Sequence, residues 1–228
     1  MYPYSPSPQA AVSLVTIDAD AVQLQGELVL PVHARGVVLF AHGSGSSRHS
    51  PRNTYVAGVL RAAGLGTLLF DLLTTVEDRD YAMRFDIALL TSRLVAATHW
   101  ILRETPATAL PIGFFGASTG AAAALAAAAE LGPRIDAVVS RGGRPDLAGA
   151  AALPRVTAPT LLIVGGHDPA VIALNREAYA QLGCVKTLHI VPGATHLFEE
   201  PGTLEQVAAL AADWFVRWLR ARDRALDG

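Results

Sequence analysis

One serine lies in a sequence context that could make it a nucleophile. Residues 112–115 form a short apolar run, and the motif Gly-Ala-Ser-Thr-Gly at 116–120 follows directly, before an alanine-rich tract. This order predicts a strand, a tight turn and a helix, with Ser118 at the turn. Gly116 and Gly120 carry no Cβ that could collide with the neighbouring strand and helix. The spacing therefore predicts an accessible hydroxyl beside backbone N–H groups that can stabilise an oxyanion.

A serine nucleophile needs a base and an acid, and the chain offers both in the order Ser, Asp, His. Asp168 follows the apolar run 160–164, and His196 follows the apolar run 188–191. Because the carboxyl ends of parallel strands meet at one edge of a sheet, both side chains are expected to converge on Ser118. Asp168 would hold the imidazole of His196 in the tautomer that accepts the serine proton. These residues are the predicted catalytic triad.

A glycine-rich loop after the apolar run 37–41 is predicted to complete an oxyanion hole. One donor is assigned to the N–H of Thr119, the residue directly after the nucleophile. The second donor is assigned to the N–H of Ser44, with Gly43 as the close competitor and as a substrate-binding residue. His42 is interpreted as the organiser of this loop rather than as the base.

Two arginines follow the apolar run 137–139, at another strand end. Arg141 and Arg144 could bind the carboxylate of an anionic substrate through bidentate contacts. The simpler alternative is a solvated loop or a structural ion pair with Asp136 or Asp146. Arg141 is retained as the substrate-binding candidate.

The remaining strand ends supply support for the site. Asp71 follows the run 67–70 and is expected to brace the elbow or the oxyanion loop, with a reserve role as the triad acid. The segment 72–84 could form a flap.

Between Ser140 and Pro159 there is no room for a separate lid domain, so the pocket is expected to be shallow and open.

The strands and helices that must position these residues are predicted from the pattern of apolar and polar side chains. Residues 12–17 and 21–30 alternate apolar and polar side chains, which predicts an antiparallel hairpin at a sheet edge. Later runs are continuously apolar, which indicates strands covered on both faces. Those strands are predicted at 37–41, 67–70, 112–115, 137–139, 160–164 and 188–191. Helices are predicted at 50–63, 85–104, 118–131, 171–182 and 203–222, the last with a capping box formed by Thr203 and Gln206.

The pattern predicts an α/β fold with a mostly parallel central sheet, an antiparallel N-terminal hairpin, helices on both faces and no separate lid domain. Residues 1–10 are expected to form a loose arm, and 11–228 a single domain.

The amino-acid composition limits the classes of molecule that the protein is expected to bind. The 228 residues are 51% hydrophobic and 17% charged, with a net charge of −2, so neither nucleic acid nor a membrane surface is an expected partner. The single cysteine, Cys184, permits no intramolecular disulfide, and no export signal opens the chain, which favours the cytoplasm. No histidine spacing predicts a metal, and no glycine spacing predicts a dinucleotide cofactor. A small acyl ester is the expected partner, without a cofactor, and a homodimer is left open.

Several longer runs resemble a known family. They are HGSGSSRHSPRN, GLGTLLFDLLT, FGASTGAAAAL, SRGGRPDLA, LLIVGGHDP and PGATHLFEEPG. Residues 36–220 resemble small bacterial α/β-hydrolases of the dienelactone-hydrolase-like branch. The resemblance implies a triad of Ser118, Asp168 and His196, and an oxyanion loop that begins at His42.

Dienelactone hydrolases proper use a cysteine nucleophile, so the serine in this chain favours ordinary ester hydrolysis. The expected function is a carboxylesterase-like serine hydrolase that cleaves small carboxylic esters through an acyl-Ser118 intermediate. The alternatives are a dienelactone or other lactone hydrolase, an amidase, an acyltransferase and a non-catalytic regulatory module on the same fold.

Overall fold

An eight-stranded sheet forms the centre of the protein in a computed structural model that describes residues 11–104, 107 and 110–220. Its strands are β1 (Ala11–Ala19), β2 (Val22–Leu30), β3 (Val37–Ala41), β4 (Gly66–Phe70), β5 (Ile112–Ala117), β6 (Ala137–Arg141), β7 (Thr160–Gly165) and β8 (Lys186–Val191). They are ordered β1-β2-β4-β3-β5-β6-β7-β8. Only β2 runs against its neighbours, and β3 to β8 are parallel. The predicted mixed sheet with an N-terminal hairpin is confirmed.

Helices cover both faces of this sheet. They are α1 (Pro51–Ala62), α2 (Ile87–Glu104), α3 (Thr119–Leu131), α4 (Pro169–Gln181) and α5 (Thr203–Trp218). One apolar layer contains residues of α2 and α3, and the other contains residues of α1 and α5. Because successive strand side chains point to opposite faces, Phe114 of β5 lies in the first layer and Phe115 in the second. The central strands are therefore covered on both faces, as predicted.

Alanine side chains let α3 pack closely against the central strands. Nearly all of its residues are buried, and most of them are alanines that leave little distance between helix and sheet. Ala also has the highest intrinsic helix propensity. Among the described residues, no helix combines the length and the apolar character that crossing a membrane would require.

Two local predictions are wrong. The last strand was expected to be covered on both faces, but most of β8 is partly exposed because it lies at the margin of the sheet, beyond the centre of the helical layers. The capping box does not form: the N-cap is Gly202, and the Thr203 hydroxyl donates to the carbonyl of Glu200. The expected arm at 1–10 and the last part of the predicted helix 203–222 lie outside the described residues.

Candidate active site

Ser118 occupies a strained turn between β5 and α3. Its φ is 51° and its ψ is −120°, a positive φ that residues with a Cβ rarely adopt and that costs on the order of 1–3 kcal/mol. Its N–H donates to the carbonyl of Arg141 at 3.2 Å. Its own carbonyl accepts from the N–H groups of Ala121 and Arg144, each at 3.1 Å. These backbone bonds fix the strained turn from three sides.

Two glycines make the turn sterically feasible, as predicted. A Cβ added to Gly120 would overlap the carbonyl oxygen of Ala41, at the end of β3. A Cβ added to Gly116 would overlap the backbone of Ala121, in the first turn of α3. The absence of side chains at both positions therefore allows strand, turn and helix to approach closely.

Asp168 and His196 are brought together by the loops after β7 and β8. Nδ1 of His196 lies 2.7 Å from Oδ2 of Asp168. The other carboxylate oxygen, Oδ1, accepts the N–H of Val171 at 3.4 Å, because Asp168 is also the N-cap of α4. One oxygen thus holds the aspartate in place while the other faces the imidazole. This leaves Nε2 of His196 as the ring nitrogen that can exchange a proton with a substrate or a nucleophile.

The strand order brings His196 to the same edge as Ser118. Gly142 follows β6, which lies beside β5, and a Cβ on this glycine would lie 3.5 Å from Cε1 of His196. The preceding carbonyl, that of Arg141, accepts the Ser118 N–H. The consecutive residues Arg141 and Gly142 therefore contact the Ser118 turn and the His196 imidazole, respectively.

A carboxylate on the same loop fixes the backbone before His196. The N–H and hydroxyl of Thr195 donate to Glu200 at 3.0 and 2.6 Å. Both bonds hold the pKa of the exposed Glu200 carboxyl below its usual value. The hydrogen bonds from Thr195 to Glu200 thereby fix the conformation of the loop that contains His196.

The predicted oxyanion loop lies against Ser118, but one expected donor is already engaged. A Cβ on Gly43 would lie 3.1 Å from Cβ of Ser118, so the two backbones are adjacent. The N–H of Ser44 donates to Oγ1 of Thr119 at 2.9 Å. The N–H of Thr119 itself lies in the first turn of α3, where no intrahelical acceptor is available. The structure thus joins Ser44 and Thr119 and keeps Gly43 next to Ser118.

His42 is a buried, neutral organiser of this loop. Its Nε2 accepts the backbone N–H of Leu72 at 3.0 Å, so the ring proton belongs on Nδ1, which lies 3.0 Å from the carbonyl oxygen of Gly43. Burial lowers the pKa of His42, which favours this neutral form. Both ring nitrogens are therefore used within the protein, in agreement with the interpretation from the sequence.

Asp71 supports the oxyanion loop rather than the imidazole. Its Oδ1 accepts the backbone N–H of Arg48 at 2.8 Å, and its Oδ2 pairs with the guanidinium of the same arginine. The carboxylate in contact with His196 is that of Asp168. Asp71 thus has the bracing contacts expected from its strand end, and Asp168 has the contact expected of the triad acid.

Arg141, the last residue of β6, and Arg144 have different surroundings. Arg144 forms an ion pair with Asp146 through two contacts of 2.9 and 2.7 Å, which is the structural alternative considered for it. Arg141 is only 5% exposed and has no carboxylate partner among the described residues. Burial, together with the charge of the nearby Arg52, lowers the pKa of Arg141 to about 10.

Three residues near the site were not singled out from the sequence. Asn53 of α1 accepts from Arg141 at 3.4 Å, and the ring of Phe198 lies 5.9 Å from the same guanidinium. Asn175 of α4 donates to the carbonyl of Gly143 at 2.9 Å and so anchors the turn after β6. Both asparagines are fully or almost fully buried. A polar residue on the apolar face of a helix is the signal that could have identified them.

The segment after Asp71 forms a wall beside the oxyanion loop. It contains two single-turn 3₁₀ helices, Glu77–Arg79 and Met83–Phe85. Its residues and those of the oxyanion loop enclose a cavity of about 120 Å³ lined by His42 and Asp78 among others. The movement of this segment as a flap stays a prediction.

The connection from β6 to β7 contains no inserted domain. Residues 142–159 are all described and include only the short 3₁₀ helices Pro145–Ala148 and Leu153–Arg155. A surface cleft of about 800 Å³ lies between α2, α3 and this connection, and none of the predicted triad residues lines it. No group of three metal-binding side chains occurs within the described part of the chain.

Comparison with known proteins places this geometry in a family. Residues 78–221 match the sequence profile of the Dienelactone hydrolase family. A dienelactone hydrolase from Anabaena variabilis is 57% identical, with a TM-score of 0.91 over 93% of this chain and 100% of its own. An α/β serine hydrolase without a lid from Xanthomonas campestris is 23% identical and has a TM-score of 0.74 over 96% of this chain and 98% of its own, which supports the fold alone.

Two curated Mycobacterium tuberculosis proteins are also related. Each is 59% identical over 202 residues and carries a provisional name, phosphoribosyl transferase. The match covers 89% of this chain and 45% of each relative, so the chain spans about half the length of these proteins. Together, the family match, the Anabaena structure and the observed sheet show that this chain has the α/β-hydrolase fold and belongs to the dienelactone hydrolase family.

Proposed function

We propose that the protein is a serine hydrolase that cleaves small carboxylic esters through an acyl-Ser118 intermediate. The observation that carries the proposal is the 2.7 Å contact between Asp168 and His196 beside a serine held at a strained turn. A strained strand-to-helix turn exposes a nucleophile, and an aspartate on Nδ1 of a histidine sets the tautomer needed for a general base.

In the proposed first half-reaction, Ser118 Oγ attacks the acyl carbon while Nε2 of His196 accepts the hydroxyl proton. The carbonyl π electrons move to oxygen, and the resulting oxyanion is stabilised by the N–H of Thr119 and by an N–H from the Gly43–Ser44 step. If Ser44 is that second donor, its bond to the Thr119 hydroxyl is shared with or exchanged for the oxyanion. Collapse of the tetrahedral intermediate breaks the ester C–O bond, and His196 returns the proton to the leaving alcohol.

In the second half-reaction, water replaces the alcohol. His196 accepts a proton from the water as its oxygen attacks the acyl carbon of acyl-Ser118. The C–Oγ bond then breaks, and the proton passes from His196 to the serine oxygen. The carboxylic acid leaves, and the enzyme returns to its starting state without a cofactor.

The substrate preference rests on the open architecture. A 142–159 connection without an inserted domain supports small, soluble esters rather than lipid aggregates, which usually require a movable apolar cover. The family name supports lactone hydrolysis as the second candidate, because a lactone is a cyclic ester that the same acyl-enzyme route opens. The name phosphoribosyl transferase is not carried to this chain, since more than half of each relative so named lies outside the match.

A fluorophosphonate probe tests the nucleophile directly. We expect one covalent adduct, located on Ser118 by peptide mass spectrometry, and loss of p-nitrophenyl acetate hydrolysis in step with labelling. Ser118→Ala should abolish labelling and reduce kcat by several orders of magnitude. Ser92→Ala is the matched control, because Ser92 is an exposed serine on α2 whose hydroxyl donates to Leu89. Full turnover by the Ser118→Ala protein would refute the proposal.

A further inference from the structure

The first strand of the sheet, β1, has one side that pairs with β2 and one outer side. On β2, the carbonyl of Gln25 accepts the N–H of Asp71 at 3.0 Å, on the side of β4. Because backbone groups alternate between the two sides of a strand, those of the next residue, Gly26, face β1. Gly26 pairs with Val15. The odd-numbered residues of β1 therefore bind β2, and the even-numbered residues direct their N–H and C=O groups outward.

Four residues of β1 thus offer backbone groups at the edge: Val12, Leu14, Thr16 and Asp18. Within the described part of the chain, no other segment pairs with these groups. Lysine, proline or a bulge commonly prevents such an edge from binding a further strand. Residues 11–19 contain no lysine, proline or glycine, and their register with β2 is uninterrupted. This edge therefore lacks the usual obstacles to pairing.

Apolar side chains along the same edge are exposed to water. Val12 is 64% exposed and Leu14 is 83% exposed. Because alternate side chains point to opposite faces, they lie on the face opposite Ile17 and Ala19, which are buried in the layer of α2 and α3. That packing holds β1 in an extended form. A further strand would remove part of the exposed apolar surface from water without rearranging the strand.

The strand is complementary to an antiparallel copy of itself. A two-fold axis at Val15 places Leu14 opposite Thr16 of the second copy. The same axis places Val12 opposite Asp18 of the second copy. In this register each outward residue exchanges both its N–H and its C=O with the opposing strand. Any other position of the axis leaves at least one of the four outward residues without an opposing residue in the strand.

The side chains also fit this register. On the exposed face, Leu14 lies diagonally across from Leu14 of the second copy, within reach of an apolar contact. On the other face, Val15 lies directly opposite its counterpart in the closer, non-hydrogen-bonded type of pair. The only ionisable side chain of the strand, that of Asp18, faces Val12 and meets no like charge. Hydrogen bonding, apolar contact and charge therefore favour the same arrangement.

We propose that β1 is a dimer interface, and that two copies of this chain join edge to edge about Val15 to form one continuous sheet. Such an interface is isologous, because the same strand serves both subunits. Neither β1 nor β2 contributes a residue to the proposed triad. The dimer can therefore be tested independently of the proposed hydrolysis.

Sedimentation velocity of the full chain, from low micromolar to submillimolar concentration, tests the proposal. We expect a reversible monomer–dimer equilibrium. Thr16→Pro should raise the dissociation constant on the order of 100-fold, because proline lacks the outward N–H and obstructs the second strand. Leu14→Lys should also raise it, because two like charges would meet near the axis. Val185→Lys is the matched control, since Val185 is 56% exposed and precedes β8 at the opposite edge of the sheet.

Cysteine crosslinking tests the register. In a Cys184→Ser background, Val15→Cys should give a disulfide-linked dimer, because Cα atoms in a non-hydrogen-bonded pair lie about 4.5 Å apart, within disulfide range. Ser13→Cys is the matched control. Residue 13 would face Ile17 of the second copy, four residues from its own counterpart, so it should not crosslink.

Several outcomes would overturn the proposal. They are a monomer at every concentration, a dimer that both Thr16→Pro and Leu14→Lys leave intact, and crosslinking through Ser13→Cys. Protection of the Leu14 and Thr16 amides from hydrogen exchange in the monomer would also overturn it, because another segment would then cover the edge. Circular dichroism checks that each variant is folded. If Thr16→Pro unfolds, Leu14→Lys still decides the question, because its side chain is exposed in the monomer.

Discussion

At the scale of single residues, Asp168 performs two tasks with its two oxygen atoms. Oδ1 caps α4 through Val171, and Oδ2 faces Nδ1 of His196. The cap fixes the carboxylate in space before any substrate is present, so the imidazole orientation is set by the fold. The helix N-terminus also favours a negative charge at this position.

This dual use predicts a specific result for Asp168→Asn. The amide can still cap α4 through its oxygen, but its NH₂ group favours the wrong tautomer of His196. We expect kcat on p-nitrophenyl acetate to fall on the order of 10³- to 10⁴-fold, while circular dichroism and thermal unfolding change little. Asp71→Asn is the comparison, because its carboxylate pairs with Arg48. A larger loss of kcat from Asp71→Asn would show that the triad acid is Asp71, after β4, and not Asp168, after β7.

The hydroxyl of Thr119 offers a second residue-scale test. It accepts the Ser44 N–H at 2.9 Å and so positions the loop that contains the proposed second oxyanion donor. Thr119→Val removes the acceptor with nearly the same shape, whereas Thr119→Ser keeps it. We expect Val to reduce kcat more than tenfold with a smaller change in KM, and Ser to remain near wild type. Equal activity of both variants would show that this hydrogen bond does not position the oxyanion hole.

At the scale of elements, the site depends on how closely α3 approaches β3. Gly120 is the contact point, since a Cβ there would overlap the carbonyl of Ala41. Backbone atoms cannot move aside as a flexible side chain can, so one extra carbon at residue 120 would force α3 away from β3.

Two glycine-to-alanine variants measure this constraint against a control. Gly120→Ala should destabilise the protein by at least about 1–3 kcal/mol in urea unfolding and displace the nucleophile turn. Gly58→Ala, in α1, places its Cβ in open space and should stabilise by about 0.5–1 kcal/mol, because alanine favours the helix. Unfolding free energies that rank the two variants in the opposite order would contradict the observed packing of α3 on β3.

Another element-scale contact anchors the segment after β4. Glu77 accepts from Arg93 of α2 at 2.9 Å and from the N–H of Thr74 at 2.8 Å, and Arg93 also donates to the carbonyl of Ala19. One ion pair thus joins the wall of the oxyanion loop to α2 and to the end of β1. We expect Glu77→Gln to destabilise the protein by about 1.5–3 kcal/mol. Hydrogen exchange confined to 72–86 should increase in the variant, and unchanged exchange there would contradict the anchoring role.

At the scale of the whole molecule, two groups make the folded state sensitive to acid. Burial lowers the pKa of His42 below its usual 6.5. Burial alone would raise the pKa of Glu77, but hydrogen bonds from Thr74 and the charge of Arg93 outweigh it and hold the value below 4.5. Below each usual value the unfolded chain binds a proton before the folded protein does. Both contributions to stability are therefore complete near neutral pH and are lost on acidification, first that of His42 and then that of Glu77.

Urea unfolding between pH 8 and pH 5 isolates the histidine contribution. We expect the free energy of unfolding to fall below about pH 6.5, and to fall less steeply in His42→Gln, although that variant is less stable at pH 8 because a buried hydrogen bond is lost. His49→Gln changes an exposed histidine and controls for the loss of one titrating group. Parallel pH profiles for the wild-type protein and His42→Gln would show that His42 titrates equally in both states.

The sequence by itself determined the sheet class, the helices, the turn at Ser118 and the chain order of the three predicted triad residues. These follow from local causes: apolar periodicity, the steric demands of Gly116 and Gly120, and the rule that parallel strands end at one edge. The failed capping box at Thr203 shows the limit of such causes, because the N-cap is Gly202, with a φ of 82°, and the Thr203 hydroxyl donates to the carbonyl of Glu200 instead.

Only the tertiary structure decided which polar groups are satisfied. Arg141 and Arg144 are three residues apart in similar surroundings in the sequence, yet one is buried without an acid and the other pairs with Asp146 at the surface. The Ser44 N–H likewise faces a hydroxyl that is distant in sequence. Hydrogen bonds and charge pairs depend on distances of a few ångströms between elements far apart along the chain, and local sequence pattern does not specify those distances. The strained Ser118 turn was therefore predictable, whereas the buried positive charge beside it was not.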